Sequence, residues 1–186
     1  MNALIYIIQT LFGLYILTFV LRLILQWVRA DFRNPLTQFV LTVTNPLVIP
    51  LRRMIPPVGG LDTATLIVVL LLEMVLTLGL IKLSCVGDLD VIQLVLFTIF
   101  NLVKRVLWIY LFVILIYVLM SWISPGGYNP FAHLLRAIAE PVLRPLRNFI
   151  PPIGGLDLSP LFALIAIQAL TMLLPSGVCP NIGQLL

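Results

Sequence analysis

The sequence is poor in charge and in the side chains that carry out chemistry. Charged residues make up 10% of the 186 positions, and the chain holds one histidine and two cysteines. A soluble domain draws about a quarter of its residues from Asp, Glu, Lys and Arg to cover a water-facing surface, and this chain owns too few polar residues for that. A lone His133 with no clustered cysteines or carboxylates leaves no set of metal ligands, and there is no Cys-x-x-Cys-His for haem attachment. His133 reads as an interfacial polar residue. No nucleophile–base pair or pair of catalytic carboxylates stands out either. The chain is therefore expected to be no enzyme and to need no cofactor. What is abundant is hydrophobic residue, 61% of the chain, together with 14 prolines. That combination points to a polypeptide solvated by lipid.

Four apolar runs are long enough to be considered as membrane spans: 3–28, 64–83, 91–123 and 156–174. A spanning helix needs about 20 residues. The third run is interrupted by Lys104 and Arg105, so its spanning part is expected at 106–123, bracketed by Trp108 and Trp122. The piece before it, 91–103, either continues that helix obliquely or lies at the interface. The first run lacks the basic n-region and cleavage site of a signal peptide and reads as a retained helix. Seven of the eleven Lys and Arg fall between hydrophobic runs in two stretches: Arg29, Arg33, Arg52 and Arg53, then Arg136, Arg144 and Arg147. This distribution reflects topology and not a nucleic-acid surface. By the positive-inside bias the two stretches face the cytoplasm and both termini lie outside.

Sliding the chain against itself by 95 residues exposes an internal duplication. Trp27 falls on Trp122, Asn34-Pro35 on Asn129-Pro130, Pro46 on Pro141, and Pro50-Leu51-Arg52 on Pro145-Leu146-Arg147. Ile55-Pro56-Pro57 then meets Ile150-Pro151-Pro152, and Gly59-Gly60-Leu61-Asp62 meets Gly154-Gly155-Leu156-Asp157. Fourteen of the 36 positions from Trp27 to Asp62 are identical without a gap. Shared lipid-like composition would match Leu with Val, not a ladder of prolines. Two units, 1–91 and 96–186, each read as helix, basic connector, helix. Two spans per unit return the chain to its starting side, so the units are expected to be parallel, related by an axis along the membrane normal. The expected fold is an all-α membrane protein of about four transmembrane helices, arranged as two parallel helix-connector-helix repeats with short interfacial amphipathic helices.

Within each connector, Asn34 or Asn129 stands before a proline, as when Asn caps a helix and Pro35 or Pro130 takes its first position. Leu36, Phe39, Val40 and Val43 follow at helical spacing, as do Phe131, Leu134, Leu135 and Ile138, which predicts a short amphipathic helix in the interface. Pro46 and Pro141 are expected to stop it, and a second short helix to start there, with Pro50 and Pro145 in its first turn and arginines near its end. Pro56 and Pro151 with the Gly59-Gly60 and Gly154-Gly155 pairs turn the chain back. Asp62 and Asp157 are placed to cap the returning helices, and Ser159 offers a competing cap in the second copy. The Gly-Gly pairs lack the lysine and glycine frame of a phosphate loop.

Two ionisable residues stand inside the first repeat's spans. Arg22 and Glu73 differ in depth by about 4 to 5 Å at 1.5 Å rise per residue, and they are expected to pair. Their repeat equivalents are Tyr117 and Gln168. Cys85 and Cys179 each follow a span on the outer side, one position from equivalence. They stand either as two thiols or, in an oxidising compartment, as a disulfide between the copies.

The duplicated pattern, Asn-Pro followed by Pro-x-x-x-Pro-Leu-Arg and Ile-Pro-Pro-x-Gly-Gly-Leu-Asp, resembles the YggT family of small bacterial membrane proteins, which includes the YlmG proteins of Gram-positive bacteria and plastids. The residues matching its motif are Pro46, Pro50, Arg52, Pro56, Gly59, Gly60 and Asp62, with Pro141, Pro145, Arg147, Pro151, Gly154, Gly155 and Asp157. The resemblance implies a multi-pass protein of the bacterial inner membrane without established catalysis. Relatives are linked to osmotic tolerance, to cell-division gene clusters and, in plastids, to cytochrome maturation. The expected function is that of an assembly or scaffold factor whose paired basic connectors meet anionic lipid headgroups and a membrane-protein partner or a second copy in a homo-oligomer. The alternative is a small solute or ion transport component in osmotic balance, with Glu73 and Arg22 along its path.

Overall fold

The computed structural model describes residues 2–57, 60, 62–84, 90–123, 129–149 and 157–175. Six helices follow in order: α1 (Asn2–Trp27), α2 (Pro35–Met54), α3 (Thr63–Ser84), α4 (Val91–Ile123), α5 (Pro130–Phe149) and α6 (Ser159–Leu173). Among the described residues there is no strand, and the protein is all-α. The offset of 95 carries α2 onto α5 end for end. In each repeat the first helix packs against both the connector helix and the returning helix, and the connector helix packs against the returning one.

Helix α1 runs without a charge until Arg22 and then ends in a turn that recaptures its last carbonyls. The Ala30 amide donates to the Leu25 carbonyl (2.9 Å) and the Arg29 amide to that of Gln26 (3.1 Å). Arg29 takes a left-handed φ of 52° to close this turn, a conformation usually left to glycine. Helices α1 and α3 lie antiparallel: Ile5 and Phe12 line the same apolar groove of about 190 Å³ as Leu83 and Leu76. A continuous buried core joins all six helices, through Phe19, Val69, Ile114, Ile138 and Ile167 among others. The large apolar side chains on the outward faces of α1, α3 and α4, such as Leu11, Val75 and Phe112, are exposed, as lipid solvation requires.

The helices bear on three expectations. First, Val91–Ile123 forms one helix of 33 residues, about 50 Å long at 1.5 Å per residue, so 91–103 is its continuation. Lys104 and Arg105 do not break it because each finds a partner: Lys104 donates to the Pro175 carbonyl beyond the end of α6, and Arg105 turns inward. Second, among the described residues three helices, α1, α3 and α4, are long and apolar enough to span a membrane by length and composition, while α6 has 15 residues. That is about 22 Å, short of a hydrocarbon core of about 30 Å. Pro160 stands at its start, and its end lies just before Pro175.

Third, the connector prolines do not divide the connectors. Pro46 and Pro50 lie inside α2, and Pro141 and Pro145 inside α5, each a single helix of 20 residues. A proline in a helix removes one amide and frees the carbonyl four residues earlier, here those of Thr42, Pro46, Ala137 and Pro141. Burial of one stripe per helix holds these helices together across the missing bonds. In α2 that stripe is Thr37, Val40, Thr44 and Val48, rotated from the expected Leu36, Phe39, Val40 and Val43, and Phe39 faces outward. In α5 it is Leu134, Leu135, Ile138, Ala139 and Leu143, close to expectation, with Phe131 at its exposed edge.

Gly13 lies directly beneath the Arg105 side chain. A Cβ at this position would lie 3.1 Å from the Arg105 guanidinium. An alanine here needs a shift of only a few tenths of an ångström and gains about 1 kcal/mol of helix propensity, so the two effects offset. A larger side chain has no such escape. Gly13→Leu is expected to destabilise the detergent-solubilised protein by about 1–3 kcal/mol through overpacking, read as a fall in its thermal midpoint, with Gly13→Ala near the parent.

Candidate functional site

Two homologous clusters of charged side chains form where each connector meets its helices. In the first repeat, Asn34 caps α2 by accepting from the Leu36 amide (2.9 Å), with Pro35 at the first helical position. Arg22 points toward the connector and donates through one nitrogen to Thr44 Oγ1 (2.7 Å) and Asn45 Oδ1 (2.9 Å). Its other terminal nitrogen lies 3.8 Å from Asp62. Arg52, from the last turn of α2, donates to the same Asp62 oxygen at 2.5 Å. Asp62 also accepts from the Thr65 hydroxyl (2.8 Å) and amide (3.4 Å), and so caps α3 as expected. Gly60, at φ 83°, makes the turn that only glycine adopts freely, and its carbonyl accepts from Gln26 (3.3 Å).

The second repeat builds the same junction with the charges exchanged. Asn129 caps α5 by accepting from the Phe131 amide (2.9 Å). Arg147 donates to Asp157 through Nε (2.8 Å) and to both oxygens of Glu140 (3.2 and 3.1 Å). Asp157 accepts from the Ser159 amide (3.0 Å) at the start of α6, and the Ser159 hydroxyl, the competing cap by sequence, is buried with no hydrogen-bond partner among the described residues. By the 95-residue offset Glu140 replaces Asn45 and Tyr117 replaces Arg22. The first cluster therefore sets two guanidinium groups around one carboxylate, and the second sets two carboxylates around one guanidinium.

Burial alone would push the Asp62 carboxyl up. The hydrogen bonds from Arg52 and Thr65 and the charge of Arg52 outweigh it and hold the group below the usual carboxylate range. Asp157 is lowered in the same way, against its burial, by Arg147 and Ser159. Arg147 is raised: burial opposes its charge, but the hydrogen bond and charge of Asp157, the charge of Glu140 and a hydrogen bond with Tyr117 prevail.

The two connectors also touch each other. Asn34 Nδ2 donates to the Pro130 carbonyl at the start of α5 (2.9 Å), which places both connectors at the same end of the bundle. On that end Arg29, Arg33, Arg52, Arg53, Arg136 and Arg144 are exposed, alongside the exposed rings of Phe32, Phe39 and Phe149.

The expected pairing of Arg22 with Glu73 does not form. Glu73 pairs with Arg105 of the second repeat, which donates through Nε (2.7 Å) and through a terminal nitrogen (3.3 Å). A further Arg105 nitrogen donates to the Gly13 carbonyl (3.3 Å). Arg22 has nearer partners at the connector end, and α4 delivers Arg105 to the depth of Glu73. The signal that would have found this pair is Lys104-Arg105 in mid-run: two cations inside an apolar helix each need a partner. Pro46, Pro50, Pro141 and Pro145 are in mid-helix as described, and Pro56 follows the α2 C-cap with its carbonyl accepting from Thr63 (2.8 Å). Gly59, Pro151, Gly154, Gly155, Cys85 and Cys179 lie outside the described residues. Among the described residues no group of His, Cys, Asp and Glu is arranged to hold a metal ion. A second groove, of about 180 Å³, is lined by Leu23, Ile24, Trp27 and Leu66 and touches Asp62.

A sequence profile of the CCB3/YggT family matches residues 1–83 and 96–178. The chain belongs to this family. The two matched segments start 95 residues apart, the offset of the internal repeat. The chain is 44% identical over 184 residues to protein PA0392 of Pseudomonas aeruginosa, covering 98% of this chain and 93% of that one. It is 36% identical over 172 residues to YggT of Escherichia coli, covering 92% and 89%. With the protein of the proC 3′ region of Vibrio alginolyticus it shares 38% of 186 residues, the full length of both. The chloroplastic YlmG homolog protein 2 of Arabidopsis thaliana is 36% identical over 63 residues, covering 34% of this chain and 25% of that one. No solved structure matches at a significant level.

Glu73 is 1% exposed, so removing its charge leaves the half-buried Arg105 guanidinium without its ion pair inside the bundle. Glu73→Gln is expected to destabilise the protein by about 3–5 kcal/mol, whereas Glu73→Leu combined with Arg105→Met returns to near the parent. Thermal unfolding in detergent reads both. The pH response follows from the connector groups. Asp62 and Asp157 are depressed in the folded state, so their stabilisation is complete above the unfolded value of about 3.9 and is lost as pH falls through the folded values. Arg147 is raised, and its contribution is lost only in strong alkali. The thermal midpoint is expected to be unchanged by these three groups between pH 5 and 9 and to fall below about pH 4, with a smaller acid drop in Asp62→Asn.

Proposed function

We propose that this protein is a non-enzymatic scaffold of the bacterial inner membrane that acts through its paired connectors, which face the cytoplasm. The observation that carries this reading is the joining of the connectors. Two helices clamped to the bundle by homologous ion-pair clusters, and linked by the Asn34–Pro130 hydrogen bond, hold exposed arginines and aromatic rings at one end of the molecule. Exposed arginines beside aromatic rings suit the headgroup layer of an anionic leaflet. The clamps engage Arg22, Arg52 and Arg147, while Arg53, Arg136 and Arg144 are exposed and make no ion pair among the described residues, so they can meet a lipid headgroup or an acidic face of a membrane-protein partner. Assembly, as in cell division or cytochrome maturation, needs such a fixed platform and no catalytic residues. Because the chain has no haem-attachment motif of its own, a maturation role assigns the cofactor to the partner.

The transport reading would place a path along Glu73. The Arg105 pairing closes that carboxylate, and the two grooves described above are lined almost wholly by apolar side chains. Cross-linking of the full chain in native membranes separates the two. Under the scaffold reading a defined protein set is captured and lost in the Arg53→Gln, Arg136→Gln, Arg144→Gln triple variant, while membrane insertion is retained. Capture of nothing, together with solute or ion flux in vesicles containing only this protein, would overturn the scaffold reading in favour of transport.

A further inference from the structure

The two repeats meet through a junction that is not self-complementary. The returning helix of the first repeat, α3, packs on the leading helix of the second, α4, with α1 also touching α4. A two-fold relation would require α6 to pack on α1 in the same way, and among the described residues no comparable α6·α1 packing is present. The junction is therefore head-to-tail, and it leaves one unused half of itself on each flank of the molecule.

Those unused halves are legible position by position. On α3, Glu73 meets Arg105 of α4, and Val69 and Thr77 stand one helical turn to either side of it; all three are buried. Their equivalents on α6 are Leu164, Gln168 and Met172, of which Gln168 and Met172 are exposed. Thr77 is 1% exposed and Met172 is 75% exposed. On α4, Thr98 and Ile109 share the helical side of Arg105 at spacings of seven and four residues and are buried, and the α1 equivalents Ala3, Thr10 and Leu14 are all exposed. Ile109 is 6% exposed and Leu14 is 55% exposed. At the centre, where Glu73 meets Arg105, the uncovered flanks carry Gln168 and Thr10. An amide and a hydroxyl can hydrogen-bond across a helix pair. The Thr10 hydroxyl is meanwhile returned to the Tyr6 carbonyl of its own helix (2.8 Å).

We infer that a second copy of this chain docks α1 against α6, repeating the α3·α4 junction between molecules with Gln168 and Thr10 in place of Glu73 and Arg105. The occupant is a second copy because the flanking faces are the two halves of an interface the chain already makes with itself. A head-to-tail contact of this kind closes into a ring or extends as a row, according to the rotation per step. The neutral pair makes this contact weaker than the internal ion pair, as suits a contact between separable molecules. The inference is independent of the scaffold reading.

The test uses full chains in native membranes, with Cys85→Ser and Cys179→Ser as background. Chains carrying Thr10→Cys are co-expressed with chains carrying Gln168→Cys and then oxidised. The expected result is a disulfide-linked dimer only when both chains are present, and a ladder when both substitutions lie on one chain. Leu14→Cys with Leu164→Cys supplies a second pair that leaves Gln168 intact. On that second pair, Gln168→Glu alone is expected to lose cross-linking and added Thr10→Arg to restore it. Dimers from either chain by itself, or no dimer from either pair while both chains insert at parental levels, would overturn the inference.

Discussion

The bundle depends on placing one ion pair, Glu73–Arg105, between its two halves. A carboxylate inside an apolar span is costly unless paired, and the first repeat has no cation at the right depth to serve it. The cation comes from the second repeat, and Gly13 leaves the space it needs. Three helices from two repeats are fixed by that requirement: α1 through its glycine carbonyl, α3 through its acid, α4 through its arginine. The length of α4 follows, because Arg105 lies in the middle of a helix that continues 14 residues beyond it toward Val91.

The connectors show a different use of charge. There the groups lie at the helix ends, where caps and ion pairs are less expensive to desolvate, and the same geometry is kept while the signs are traded. Asp62 stands between two arginines, and Arg147 between two acids. The retained members, Arg52 with Asp62 and Arg147 with Asp157, link the end of each connector helix to the start of its returning helix. The exchanged members, Arg22 with Asn45 and Tyr117 with Glu140, decide how deep into the bundle the polar network reaches. Arg22 extends it into α1, and its absence from the second repeat is matched by a shorter returning helix.

Much of this could be read from the sequence, for a physical reason. Prolines, glycines and capping residues act on the backbone next to them, so Asn34-Pro35, Asn129-Pro130 and Asp62 announced their helix starts, and their repetition at a fixed offset announced the duplication. What could not be read was set by packing across distance. Pro46 and Pro141 looked like stops because a local rule counts the lost hydrogen bond and not the buried stripe that carries α2 and α5 through it. Arg22 looked like the partner of Glu73 because depth was compared within one repeat, whereas the nearer solution came from a helix 32 residues further along. The last apolar run, 156–174, is the weakest of the four as a span, and α6 takes Ser159–Leu173 of it, because hydropathy counts residues without asking which of them join the helix.

Duplication itself explains why the two copies diverged most in the membrane. Once two repeats are joined in tandem, equivalent positions no longer face equivalent surroundings: Glu73 looks into a protein junction and Gln168 looks outward. A buried carboxylate is tolerable only where the junction supplies an arginine, so the charged pair persists at the one site where both halves are present in a single chain. On the flanks the same positions must remain tolerable in lipid whenever no neighbour is bound, which limits them to neutral polar groups. Gln168 and Thr10 meet that condition, and a carboxylate or guanidinium there would not.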